Sequence, residues 1–215
     1  DLQLALGKQT VEPFDYSKIE IRRGKIVDTV EVEEGSKDYF KRFENTEDGV
    51  SPRVLPGTKG GIHHVTGVEH DETGKPSEAT GNRRTQMDKR MRKLAQVRFE
   101  NPVYVNAPHE EADILVVGFN STRGALEEVQ EALNAEGVKV NHAHIKLVHP
   151  FPAAEMTALM DRAKKVIVVE NNATGQLANI MKMNIGGHAK MKSILKYDGT
   201  PFMPRELTNL VKEEM

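Results

Sequence analysis

Apolar residues are distributed very unevenly along this chain of 215 residues, and this distribution limits what each part can fold into. Between Glu44 and Arg92 only nine of 49 residues are Ala, Val, Ile, Leu, Met, Phe, Trp, Tyr or Cys, whereas 52 of the 113 residues from Val103 to Met215 belong to this set. The first segment has too little apolar surface to offset, by burial, the entropy lost on ordering its chain. We therefore expect a compact domain over residues 103–215, preceded by a long polar arm.

Strand and helix patterns alternate through the C-terminal segment. Four apolar runs predict buried strands, at residues 114–117, 138–148, 166–169 and 194–195. Four apolar stripes at helical spacing predict helices, over residues 121–137, 156–163, 175–181 and 204–211. This alternation predicts an α/β fold with a largely parallel sheet and helices on both faces.

The arm is expected to contain two regular elements. Residues 19–21 and 25–27 alternate in polarity on either side of Gly24, which predicts a hairpin. An amphipathic helix is predicted over residues 83–94, with an apolar stripe formed by Met87, Met91 and Leu94. Residues 49–81 between these elements are expected to be loop.

Charge and residue types exclude several classes of function. Thirty basic and 32 acidic side chains leave a formal net charge of -2, which provides no attractive field for nucleic acid or an anionic membrane. The sequence has no Cys, which excludes disulfides, thiolate nucleophiles and cysteine-ligated clusters within this chain. No apolar run approaches the roughly 18 residues of a membrane span. We therefore expect a cytoplasmic protein that binds neither nucleic acid nor membrane.

A histidine-rich stretch of the arm contains residue types that bind metal ions: His63, His64, His70, Asp71 and Glu72. Their spacing matches no helical i, i+4 pair, and Gly67 intervenes. Contact with a neighbouring domain is the favoured interpretation, and we expect no metal site here.

A second histidine pair, His142 and His144, lies in the second predicted strand. Alternation puts both imidazoles on one face of that strand. We expect this to be the exposed face, shared with Lys146.

Two polar segments follow predicted strands. Gly118–Gly124 joins a strand to a helix N-terminus, where backbone N–H groups could hold a phosphate. It matches neither GxGxxG nor a Walker A loop, so a capped turn is the favoured interpretation. Glu170, Asn171 and Asn172 end another strand, at the edge where open α/β sheets collect binding sites. Glu170 could act as an acid, a base or an interface acceptor, and equally as a helix cap.

The predicted helix of the arm is strongly basic, and with its C-terminal extension it carries Arg83, Arg84, Lys89, Arg90, Arg92, Lys93 and Arg98. Only Asp88 opposes these charges locally, although the acidic stretch from Glu31 to Asp48 could complement them. Near-zero overall charge disfavours nucleic-acid binding. The residues alone therefore provide no nucleophile–base pair, metal set or complete phosphate loop.

Several stretches, in the right order, resemble the alpha subunits of 2-oxoacid:ferredoxin oxidoreductases, nearest the 2-oxoglutarate type. They are Gly49–Gly57, Val65–Gly74, Met87–Leu94, Pro150–Pro152 and Val168–Leu177. The resemblance covers essentially the whole chain. It implies that residues 1–102 are the end of a thiamine-domain region with a polar linker, and that residues 103–215 form a transketolase C-terminal-like domain.

The resemblance also implies an enzyme of two subunit types. Such enzymes carry out the CoA-dependent oxidative decarboxylation of a 2-oxoacid, giving an acyl-CoA, CO2 and reduced ferredoxin. Thiamine diphosphate, Mg2+ and a [4Fe–4S] cluster are expected in the full complex, and none of them in this chain. The expected partners are the beta subunit, the rest of the alpha subunit and ferredoxin.

This sequence departs from the family pattern because the thiamine domain, with its Tyr-Pro-Ile-Thr-Pro segment, is absent. We expect a C-terminal fragment without catalytic residues of its own. The residues expected to contact a partner or the substrate entrance are Arg53, Glu69, His70, Glu170 and Asn171. Two alternatives stay open, a non-catalytic assembly module and a free-standing nucleotide-binding α/β protein.

Overall fold

The computed structural model describes residues 5–31, 39–186 and 188–215 of the chain. Contacts divide the chain into two compact units, Val11–Arg98 and Asp1–Thr10 with Phe99–Met215. We call the first the arm unit and the second the sheet unit.

The arm unit contains two short strands, β1 (Ile26–Val27) and β2 (Arg53–Val54), which pair in parallel. The backbone N–H of Arg53 also donates to the carbonyl of Lys25 at 2.9 Å. The predicted hairpin is therefore wrong. Ile19 and Ile21 are 45% and 61% exposed, so a hairpin there would have no surface to pack against, and isolated hairpins are marginal in water.

Helix α1 (Thr80–Ala95) forms where a helix was predicted, but the side that it buries is not the apolar stripe. Its buried residues are Gln86 and Lys89, whereas Met91 and Leu94 are 55% and 41% exposed. The side-chain amide of Gln86 and the ammonium of Lys89 donate to the carbonyl of Phe43 at 3.2 and 2.6 Å. Polar contacts, not an apolar stripe, therefore fix the orientation of α1.

The described residues of the sheet unit form a five-stranded sheet in the order β3-β5-β4-β6-β7. Its strands are β3 (Val103–Asn106), β4 (Ala112–Phe119), β5 (Val140–Ile145), β6 (Ala163–Glu170) and β7 (Met191–Leu195). All neighbours pair in parallel except β3, which runs antiparallel to β5. The sequence prediction missed this short edge strand.

Helices cover both faces of the sheet, as predicted. They are α2 (Arg123–Ala135), α3 (Ala153–Asp161), α4 (Gln176–Ile185) and α5 (Pro204–Glu213). On one face Leu115 and Val117 pack among residues of α3 and α4. On the other face Ile114 and Val116 pack among residues of α2 and α5. Successive residues of β4 thus enter opposite cores, as the period of two in a strand requires.

Among the described residues, no helix is long and apolar enough to cross a membrane.

Candidate functional site

A cleft opens at the carboxyl edge of the sheet, where the chain leaves the neighbouring strands β4 and β6 toward helices on opposite faces. This divergence is the position at which open α/β sheets bind ligands. The cleft has a volume of about 740 Å³. Neutral polar side chains line much of it: Asn120, Ser121, Thr122, Asn171, Asn172 and Gln176. The two polar segments singled out in the sequence therefore meet here.

The turn after β4 is closed by a side chain rather than left open for a phosphate. The hydroxyl of Thr122 accepts from the N–H of Phe119 at 3.2 Å and donates to its carbonyl at 2.9 Å. A Cβ on Gly118 would lie 2.4 Å from this hydroxyl and 2.5 Å from Leu126. Gly118 is therefore required by close packing, as in a structural turn.

Glu170 is fully buried and caps α4 from inside the sheet unit. Its carboxylate accepts from the N–H groups of Leu177 and Ala178 at 2.7 and 3.0 Å, and from the amide of Asn172 at 2.7 Å. A negative charge at a helix N-terminus is stabilised by the exposed N–H groups there. Both carboxylate oxygens are thus engaged, while the neighbouring Asn171 is exposed at the cleft.

The expectation that His142 and His144 lie on an exposed face is wrong, since the two residues are only 0% and 5% exposed. Strand β5 lies between β3 and β4, and α2 covers the face of β5 that carries the two histidines. Because β3 was not predicted from the sequence, the position of β5 inside the sheet was not predicted either. Burial, reinforced by the charge of His144, lowers the pKa of His142 to about 4. Burial also lowers the pKa of His144 to about 4. Both imidazoles are therefore neutral at pH 7.

These histidines belong to a polar cluster beneath α2. The ring of Tyr104 lies 5.9 Å from that of His142, and the guanidinium of Arg123 stacks 4.0 Å from the Tyr104 centroid. Arg123 also donates to Glu127 at 2.9 Å. Both nitrogens of His142 and Nδ1 of His144 lack a hydrogen-bond partner in the part of the chain that the structure describes. Alternation of polar residues in β5 was the only signal of this cluster in the sequence.

The histidine-rich stretch of the arm stabilises loops. His64 and His70 contact the rings of Tyr39 and Phe43, with centroids 4.6 and 4.1 Å apart. The carboxylate of Asp71 accepts from the N–H of Thr73 at 2.8 Å. Across residues 5–31, 39–186 and 188–215, no group of three or more His, Cys, Asp or Glu could hold a metal ion.

Glu69 is held by the basic side of α1. Its carboxylate accepts two bonds from Arg90, at 2.7 and 3.1 Å, and one from Arg83. These guanidinium groups, Arg90 first, hold the pKa of Glu69 well below its ordinary range. Its neighbour His70 lines a cavity of the arm unit together with Arg53. The structure thus brings Arg53 and His70 to one cavity and places Asn171 at the cleft of the other unit, whereas Glu170 is buried and does not line that cleft.

Comparison with known proteins identifies the family of this chain. Residues 112–207 match the core domain II of pyruvate:ferredoxin oxidoreductase. Subunit alpha of 2-oxoacid:ferredoxin oxidoreductase 2 from Aeropyrum pernix is 34% identical over 94% of this chain, and the corresponding subunit from Saccharolobus solfataricus is 36% identical over 90%. The chain belongs to the 2-oxoacid:ferredoxin oxidoreductase alpha subunits. It spans 30% of the length of each of these two relatives.

A solved structure of the same family extends this similarity to three dimensions. The 2-oxoglutarate:ferredoxin oxidoreductase from Magnetococcus marinus, with 2-oxoglutarate, coenzyme A and succinyl-CoA bound, matches at a TM-score of 0.78 and 33% identity. The match covers 94% of this alpha-subunit chain and 34% of the Magnetococcus chain. The family resemblance found in the sequence is therefore confirmed over nearly the whole chain.

Proposed function

We propose that this chain is part of a 2-oxoacid:ferredoxin oxidoreductase that acts on 2-oxoglutarate. The reaction consumes the 2-oxoacid and CoA, releases CO2 and an acyl-CoA, and passes two electrons to ferredoxin. The observation that carries the proposal is the match to the Magnetococcus marinus enzyme, which covers 94% of the chain at a TM-score of 0.78.

The residues of this chain do not fit two of the cofactors that such an enzyme uses, the iron–sulfur cluster and Mg2+. The sequence has no Cys to bind an iron–sulfur cluster, and the described residues provide no cluster of metal ligands. We therefore assign thiamine diphosphate, Mg2+ and the [4Fe–4S] cluster to the rest of the alpha subunit and to the beta subunit. Thiamine diphosphate supplies the electron sink for decarboxylation when it is bound.

We assign this chain an assembly and positioning role, with residues 1–102 completing the thiamine-domain region and residues 103–215 forming a separate domain. Exposed apolar side chains of the arm unit support an interface role. Ile62, Val65 and Val68 lie within seven consecutive residues and are 71%, 80% and 60% exposed, and clustered exposed apolar side chains mark interaction surfaces.

The composition of the native assembly tests this proposal. The protein that carries this chain is purified from its source cells under native conditions, and its polypeptides, thiamine diphosphate and iron are measured. We expect a second polypeptide together with thiamine diphosphate and iron. Purification of the protein without a partner and without either cofactor would overturn the proposal.

A further inference from the structure

The arm unit contains a strongly cationic cavity that the proposed oxidoreductase role does not use. Its volume is about 360 Å³, within the range of small-molecule sites, roughly 300–1,000 Å³. Seven of its fourteen lining residues are Lys or Arg, and none is acidic. The cavity is formed by the loops around Lys25, Phe43 and Val50 together with the buried side of α1.

Only two of these seven cations form an ion pair with a described carboxylate. Lys25 pairs with Asp48 at 2.7 Å, and Arg90 pairs with Glu69 at 2.7 Å. No described carboxylate forms an ion pair with the other five, which are Arg23, Arg42, Arg53, Lys89 and Lys93. The chain as a whole has a formal charge of -2, so this excess of positive charge is local.

Lys89 is the buried centre of this group, with only 6% of its surface exposed. Its ammonium donates to the carbonyl of Phe43 at 2.6 Å, which satisfies a hydrogen bond but supplies no counter-charge. Burial, together with the charges of Arg90 and Arg42, lowers the pKa of Lys89 to about 8. The charge of Glu72 opposes this shift, but Glu72 forms its described ion pair with Lys41 and not with Lys89. A buried cation without an ion-pair partner is costly, and a bound anion would reduce that cost.

We propose that this cavity binds a phosphate-bearing small molecule. A phosphate group carries up to two negative charges and three terminal oxygens, so one group can accept from several of these cations at once. Arg53 and Arg42 provide planar guanidinium donors among the lining residues, and the buried Lys89 provides a point charge. A single carboxylate would leave most of the positive charge unpaired. The inference concerns binding only and does not depend on the reaction that the enzyme catalyses.

Binding of inorganic pyrophosphate to the purified native protein tests the proposal. Isothermal titration calorimetry would compare the unaltered protein with the double variant Arg53→Gln, Lys93→Gln, since both residues are exposed and line the cavity. The matched control is Lys59→Gln, Arg84→Gln, which removes two exposed positive charges of the same unit outside the cavity.

We expect saturable binding that the cavity variant weakens about tenfold or more, whereas the control changes it less than about twofold. The titration is run near 0.1 M salt, where charges more than about 10 Å apart are largely screened. Equal weakening by both double variants would overturn the proposal, because pyrophosphate binding would then depend on the general surface charge and not on the cavity. Citrate binding as tightly as pyrophosphate would overturn the assignment to phosphate.

Discussion

At the scale of single residues, the position of Glu170 was predictable from the sequence, but its role was not. The apolar run before it placed it at the end of a strand, where a catalytic acid and a helix cap are equally possible. Its hydrogen-bond donors, the N–H groups of Leu177 and Ala178, lie seven and eight residues later in the chain. Only the three-dimensional path of the β6–α4 connection brings them to the carboxylate.

Replacing Glu170 by Gln should therefore destabilise the sheet unit. Gln keeps the size of the side chain but removes the negative charge at the N-terminus of α4. Its amide NH2 would also face N–H groups, which are donors and cannot accept a hydrogen bond from it. We expect a loss of about 1–3 kcal/mol in the free energy of unfolding, measured by urea titration. The control Asn171→Ala alters an exposed neighbour and should cost less than about 0.5 kcal/mol. An unchanged unfolding free energy for Glu170→Gln would contradict the cap.

The buried histidine pair makes a prediction about acid stability. The unfolded chain protonates these imidazoles below about pH 6.5, whereas the folded chain keeps them neutral down to about pH 4. Their contribution to stability is therefore complete above pH 6.5 and is lost as the pH falls through about 4. His142→Phe removes one of the two groups, so it should make the decline in unfolding free energy between pH 6.5 and 4 smaller.

Urea titrations at several pH values across this range measure that decline. His149→Gln serves as the control, since His149 is exposed and its replacement should leave the decline unchanged. If His142→Phe showed the same decline as the unaltered protein, protonation of the buried pair would not be the cause of acid destabilisation.

At the scale of secondary-structure elements, the sequence located α1 but not the side that it buries. Helical spacing of Met87, Met91 and Leu94 was detectable, whereas the bonds that orient the helix join Gln86 and Lys89 to the backbone of Phe43, more than 40 residues away. In the sheet unit the apolar pattern itself determines most of the burial, so the helices and the strands β4, β6 and β7 were predictable there. The burial of His142 and His144 in β5 was not. The short edge strand β3 has only four residues, too few for a clear period.

At Gly49 a loop of the arm lies close against the backbone of α1. The φ of Gly49 is +71°, and a Cβ there would lie 2.6 Å from the carbonyl of Lys89 and 2.9 Å from the N–H of Lys93. Gly49→Ala should therefore separate loop and helix, and should accelerate amide hydrogen exchange in α1 about tenfold or more. Gly67→Ala is the matched control, because a Cβ on Gly67 would meet nothing within 4 Å. Equal exchange rates in the two variants would contradict the close approach.

At the scale of the whole molecule, the density of apolar residues indicated two parts with different kinds of interior. The hydrophobic clusters of the described chain belong to the sheet unit, from Val103 to Val211. The arm unit instead buries Gln86 and Lys89 and is held by ion pairs and backbone contacts. Sequence reasoning predicted the first from hydrophobic periodicity but underestimated the second, since polar contacts between distant loops leave no periodic signal. The family and its chemistry followed from ordered motifs rather than from a catalytic set.

The most direct measurement is the turnover of 2-oxoglutarate by the native protein that carries this chain. Carbon dioxide release and reduction of ferredoxin are followed together, with and without CoA, and with the isolated 215-residue chain as comparison. We predict that the native protein reduces ferredoxin by two electrons for each CO2, only when CoA is present, and that the isolated chain is inactive. Failure of the native protein to reduce ferredoxin with 2-oxoglutarate or any other 2-oxoacid, or turnover by the isolated chain, would contradict this account.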